Sequence, residues 1–149
     1  MATTAQAKGR IIEDDDEIGA LLAQTRRVAV VGIKTRESMQ PAYYVPEYAQ
    51  RAGYEIVPVP VYYPEATEIL GQKVYRSLAA IPGDVDMVNM FRRPKDLAAH
   101  LDDILAKKPR SVWLQLGIRD DAFAARLTAA GIDVVQDRCL LVELRTHGR

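Results

Sequence analysis

The feature that most constrains this chain is an alternation. Five short apolar runs, rich in β-branched residues, recur along it: "VAVVGI" (28–33), "YEIVPVPV" (54–61), "VDMVNMF" (85–91), "SVWLQLG" (111–117) and "IDVVQ" (132–136). Runs of this length read as strands buried on both faces. The stretches between them carry helical signals, and strands alternating with helices imply parallel pairing through right-handed crossovers. The expectation is an α/β, three-layer, doubly wound fold on a mainly parallel sheet of about five strands. With 149 residues, the whole of 1–149 is expected to form one domain.

The helical stretches have recognisable ends. "EDDDEIGALLAQTRR" (13–27) opens on acids, Glu13 to Glu17, and closes on Arg26 and Arg27, as the helix dipole favours. The acidic run therefore reads as helix-end chemistry rather than as a metal site. "YVPEYAQRAG" (44–53) reads as a helix stopped by Gly53. Pro46 lacks an N–H and belongs in a first turn, which places the start near Tyr43 and leaves a long loop from Lys34 to Ala42. "ILGQKVY" reads as a turn with a short extended piece, "RSLAAIP" as a short helix, and "PKDLAAHLDDILAKK" as a longer one begun by Pro94. "DDAFAARLTAAG" is a helix capped by Asp120 or Asp121, and "CLLVEL" is a final extended or helical piece.

Net charge is zero, so no global field draws the chain to nucleic acid or to an anionic membrane, and any anion site must be local. No apolar run approaches the roughly 20 residues of a membrane span. "MATTAQAKGR" lacks the apolar core of a secretion signal. Cys139 is the lone cysteine, which excludes an internal disulfide and a cysteine-rich zinc site. A cytoplasmic location is expected, with polar ends (1–12 and 145–149) that fray.

In an open parallel sheet, ligands bind beyond the carboxyl ends of the strands, where the strand order reverses. That rule selects "GIKTRESMQ", "PVPVYYP", "MFRRP" and "QLGIRD". In the first stretch, Gly32 and Ile33 close a strand and Lys34, Thr35 and Ser38 follow, a cation and hydroxyls ahead of a helix N-terminus, as a phosphate cradle requires. The other reading is a polar surface loop. The second strand ends in Val59, Pro60, Val61 and Tyr62 without the acid that a nicotinamide cofactor's ribose needs; apolar groups there suit an adenine ring, or simply pack under a loop. In the third, Phe91 can pack on a base and Arg92 or Arg93 can fork onto a phosphate ahead of Pro94; alternatively, one arginine pairs with Asp96 or Asp120. In the fourth, Gln115 and Gly117 end a strand, and a buried amide needs partners.

Catalytic groups are sparse. His100 lies mid-helix, away from the expected sheet edge, and His147 is in the tail. Cys139 is the only nucleophile of note, and small buried cysteines are usually inert. Asp137 is expected to pair with Arg138. No cluster has metal-ligand spacing, and no catalytic residue is assigned.

Taken together, "VAVVG" (28–32), "GYEIVPV" (53–59), "EILGQKVYRSLAAIP" (68–82), "VDMVNMFRRP" (85–94), "VWLQLGI" (112–118) and "GIDVVQDRC" (131–139) resemble the stand-alone CoA-binding domain family. That family is similar to the N-terminal domain of the succinyl-CoA synthetase alpha subunit. The resemblance implies a Rossmann-like domain that holds coenzyme A or an acyl-CoA by its adenine nucleotide. It puts the first loop near phosphate, Pro60 and Phe91 to Pro94 around the nucleotide, and Gln115 to Gly117 along the site. The chain departs from the family at Lys34, where a serine is common, and at Gln40 and Ala42, where an arginine and a serine are common. The resemblance supplies a ligand rather than a reaction, so a carrier, sensor or subunit of a larger CoA-using enzyme is expected. The rivals are an enzyme using Cys139 or Asp137 on a thioester or nucleotide, an oligomeric scaffold whose arginines serve an interface, and an NAD(P)-binding protein.

Overall fold

The computed structural model describes residues 8–149. The first helix, α1 (Asp15–Gln24), is capped by Asp14, whose carboxylate accepts from the Glu17 amide at 3.1 Å. It stops at Thr25, so Arg26 and Arg27 do not close the helix as expected. Asp86 takes the amides of both, at 3.0 and 2.9 Å, and turns the chain into β1 (Arg27–Val31). This is a long-range contact that no local helix signal reveals.

Helix α2 (Pro41–Arg51) begins earlier than Pro46 suggests. Pro41 occupies its first position, where its fixed φ suits helix entry. Pro46 then sits buried inside the helix. β2 (Glu55–Val59) follows, then a small antiparallel hairpin of β3 (Glu68–Ile69) and β4 (Gln72–Lys73). "RSLAAIP" is not a helix. Both oxygens of Asp103 take the Leu78 and Ala79 amides, at 2.7 and 3.0 Å, and hold the segment as turns.

After β5 (Met87–Met90), the expected single helix is three pieces: α3 (Pro94–Leu97), a 3₁₀ turn (Ala98–His100) and α4 (Leu101–Lys107). β6 (Ser111–Leu114), α5 (Asp121–Ala129, capped by Asp120), β7 (Asp133–Val135) and α6 (Leu140–Thr146) complete the chain. "CLLVEL" is thus helical.

The five main strands pair in parallel in the order β2-β1-β5-β6-β7. Alternate residues feed two cores. Ala29, Val31, Val88, Met90 and Leu114 face Leu97, Ile104 and Leu127 of the helices on one side. Val28, Val30, Met87 and Trp113 face Ile18, Val45 and Leu144 on the other. This is a three-layer, doubly wound, Rossmann-like fold. The chain runs from β1 outward to β2, then back past β1 to β5, so the strand order reverses between β1 and β5.

The ends are pinned where they are described. Gly9 donates to Thr128 O and Ile12 to Val134 O, both at 2.8 Å, and Ile11 bridges β7 in parallel. Tyr48 Oη donates to the carbonyl of Arg149 at 2.7 Å. Residues 8–12 and 145–149, expected to fray, thus contact distant elements through their backbone. Residues 1–7 of that expectation lie outside the described residues. No helix among the described residues is long and apolar enough to cross a membrane.

Candidate functional site

A cleft of about 420 Å³ opens beyond the carboxyl ends of β1, β5 and β6, at the strand-order reversal. Lys34, Gln40, Pro41, Ala42 and Tyr44 form one wall, from the β1 loop and the start of α2. The β5 loop supplies Phe91, Arg92, Arg93 and Pro94, and the far wall is Gln115 to Ile118 with Cys139. Three cations and no carboxylate line this cleft.

The geometry of the β1–β5 side rests on Gly32. Its φ is +86°, and a Cβ there would lie 2.4 Å from the Phe91 carbonyl oxygen. The β1 and β5 loops therefore run in backbone contact, which is the close approach a glycine permits. The approach is to the protein's own chain. Phe91 N also donates to Val31 O at 2.9 Å. Lys34 is thereby carried to the cleft that Arg92 and Arg93 also line.

Those two arginines differ in environment. The Arg92 side chain is 15% exposed and that of Arg93 70%. Arg92 Nε donates to His100 Nε2 at 3.2 Å, and its Nη2 lies 3.9 Å from Asp96. Arg93 Nε lies 3.4 Å from the same Asp96 oxygen. Both arginines thus share the Asp96 partner raised as the alternative for one of them, while Asp120 is used as the cap of α5. His100 is not remote from the sheet edge, because the 3₁₀ turn brings its imidazole against Arg92. Burial, and then the Arg92 charge, hold its pKa below the ordinary 6.5; Asp103 and Asp96 act in the opposite sense.

The remaining expected site residues fall into two groups. Pro94 opens α3 at the cleft, and Gln115 and Gly117 line it. Gln115 is 4% exposed, and its Oε1 accepts from Leu140 N at 3.3 Å and Asn89 Nδ2 at 3.4 Å. Its carbonyl oxygen thus serves the fold. Gly117 N donates to Asp137 Oδ1 at 2.6 Å, which ties the β6 loop to the β7 loop. Asp137 does not pair with Arg138, which reaches Asp15, Glu143 and the Glu13 carbonyl instead.

Outside the lining are Gly32, Ile33, Thr35, Ser38, Pro60 and Val61. Ile33 is 1% exposed and belongs to the core. The Thr35 hydroxyl turns to Glu37, whose carboxyl is held below its usual range by its own backbone amide first and then by Thr35. Ser38 Oγ accepts from Gln40 N at 3.3 Å. Pro60 is buried at the end of β2, and Val61 is exposed beside it, on the outer side of β1.

Gln40, Pro41, Ala42, Tyr44, Ile118 and Cys139 line the cleft without having been singled out as its ligands, and Leu116 lines it within the Gln115 to Gly117 stretch that the resemblance puts along the site. Pro41 at the start of an amphipathic stretch was the available signal for the first four. Lys34 Nζ donates to Gln40 Oε1 at 2.5 Å, so two of the three positions that depart from the family's usual residues contact each other. Among the described residues, no group of three His, Cys, Asp or Glu side chains is placed to hold a metal.

The fold and the cation-lined cleft define a Rossmann-like small-molecule-binding domain. Residues 26–145 match the CoA binding domain family, and the chain belongs to that family. It is 35% identical over 126 residues to the uncharacterized protein YneT of Bacillus subtilis, covering 85% of this chain and 90% of that one. A Thermus thermophilus protein, cell-free ID.343, superposes with a TM-score of 0.83 at 40% identity, covering 91% of this chain and 99% of that chain. A hypothetical protein from Pyrococcus horikoshii gives 0.82 at 27% identity, covering 98% of each.

Proposed function

We propose that this cleft binds coenzyme A or an acyl-CoA through the phosphates of its adenine nucleotide. The observation that carries this reading is the convergence of Lys34, Arg92 and Arg93 at the strand-order reversal, on a cleft whose lining holds no carboxylate although Asp96 lies against both arginines. Arg93 offers the most exposed guanidinium, and Arg92 a fork already oriented by His100 and Asp96. The start of α2 adds the field of a helix N-terminus to the same wall. A volume of about 420 Å³ suits part of such a ligand, within the roughly 300–1,000 Å³ of small-molecule sites. Leu116, Ile118 and Cys139 leave the far wall more apolar, suited to the thioester arm.

On this reading the protein is a cytoplasmic carrier, sensor or subunit, whose partner is a nucleotide rather than nucleic acid or membrane. Its further partners are a second copy or a larger CoA-using enzyme. A ligand that prefers the native state raises the melting temperature. CoA, acetyl-CoA, NAD, ADP and ATP compared by thermal shift test the reading. The expected result is a shift with the CoA compounds that Arg93→Ala diminishes, and equal or larger shifts with NAD would overturn it.

One observation favours a second reading. Cys139 is a free thiol on the wall of the cleft, so a reaction at a thioester carbonyl is geometrically accessible. Alkylation rate against pH tests it: a thiol reactive well below the usual thiol range of about 8.5 favours an enzyme.

A further inference from the structure

Pro46 lies inside α2, where an ordinary residue would donate its N–H to the carbonyl of Ala42, four positions back. Proline has no N–H, and its ring pushes that carbonyl away from the helix axis. A carbonyl freed in this way needs a donor. The donor is the backbone amide of Lys34, at 3.1 Å. Ala42 and Lys34 both line the cleft, whereas Pro46 is buried behind them and does not.

We propose that Pro46 is a positioning residue for the cleft: by leaving the Ala42 carbonyl to Lys34, it folds the β1 loop onto α2 and fixes where Lys34 meets a phosphate-bearing ligand. The inference rests on the reading of the cleft as a nucleotide site. It accounts for a proline held in a helix interior, where it is strongly disfavoured relative to alanine. Placement of the cation is the gain that offsets this penalty. The Lys34 side chain, held by Gln40, then projects from a loop tied to α2 through the Lys34 amide.

The test is a double-mutant cycle on the full chain, Pro46→Ala and Lys34→Ala singly and together, with three readouts. These are amide exchange at Lys34, melting temperature without ligand, and CoA affinity by calorimetry. In Pro46→Ala, the new amide at position 46 should become protected, the Lys34 amide should exchange faster, and the melting temperature should hold or rise. CoA affinity should fall about tenfold, as for loss of one charged hydrogen bond. The same change in a Lys34→Ala background should have little further effect, because the two act through one contact. Unchanged Lys34 exchange, or an equal affinity loss with and without Lys34, would overturn the proposal. Pro46→Val, which restores the amide with a side chain closer in volume to proline, serves as a second variant should the alanine protein not fold. If the wild type binds no CoA, the nucleotide reading fails and the ligand role of Pro46 fails with it, while Lys34 exchange still decides whether the two residues are coupled.

Discussion

Arg92 and His100 share a hydrogen bond in which the guanidinium Nε–H donates to the imidazole Nε2 at 3.2 Å. The bond requires a neutral imidazole, since a protonated Nε2 cannot accept. Elements on both sides face the ring: Arg92 from the β5 loop, Asp96 from α3 and Asp103 from α4.

A pH dependence of stability follows. The folded pKa of His100 is lowered, so above its ordinary value of 6.5 both states are neutral and the group has no effect. As pH falls below 6.5, the unfolded chain takes up a proton that the folded chain resists, and stability declines until the folded pKa is passed. Urea unfolding from pH 8 to pH 5 should show this decline, and His100→Gln, which keeps an acceptor, should remove that component. An upward shift of the His100 titration in Arg92→Ala, followed by NMR, checks the cause.

The two arginines should separate by phenotype. Arg93 is mostly exposed, so Arg93→Ala should change stability by no more than about 0.5 kcal/mol while weakening CoA binding. Arg92→Ala removes a largely buried side chain and leaves His100 without its donor, and it should also destabilise, by about 1–3 kcal/mol. Denaturant midpoints and CoA titrations of both variants give the comparison. Equal destabilisation would contradict the difference in burial.

Gly32→Ala should be among the most damaging single changes. It places a side chain at φ +86° and a Cβ 2.4 Å from the Phe91 carbonyl oxygen. Backbone strain of that kind is about 1–3 kcal/mol before the steric clash is added. A loss well under 1 kcal/mol in chemical denaturation would show that the loops can part without penalty.

Asp103→Ala should loosen the segment after β4. The carboxylate is the acceptor for the amides of Leu78 and Ala79, and Leu78 is part of a core. Loss of both bonds should lower stability by about 1–3 kcal/mol. Amide exchange at Leu78 and Ala79 should accelerate ahead of that at β5, and uniform acceleration would argue against a local role.

The fold was legible because its signals are local. Strands buried on both faces of a parallel sheet are mostly apolar, and the runs at 28–31 and 112–114 are apolar for that reason. The errors lie where a distant group decides. "RSLAAIP" has helical composition, but the Asp103 carboxylate takes two of its amides. Pro46 has a first-turn signature, but Pro41 starts the helix and Lys34 takes the carbonyl that Pro46 leaves free.

The cleft was half legible. "MFRRP", Lys34, Gln115 and Gly117 were found because strand ends at the order reversal are where a parallel sheet exposes its loops. Thr35, Ser38, Pro60 and Val61 share that edge in sequence but not in space. The first two turn into local hydrogen bonds, and the latter two fall on the far side of β1. His100 was misplaced because helix periodicity says nothing about a side chain eight residues upstream.

By itself, the sequence determined the five main strands, the parallel sheet and the edge that gathers cations, since each depends on apolar periodicity and on residues adjacent in the chain. Only the tertiary structure decided which cations share a cleft and which are held back by Asp96 and His100. Those choices are made by hydrogen bonds and packing between segments far apart in the chain, whose energies no short stretch of residues contains.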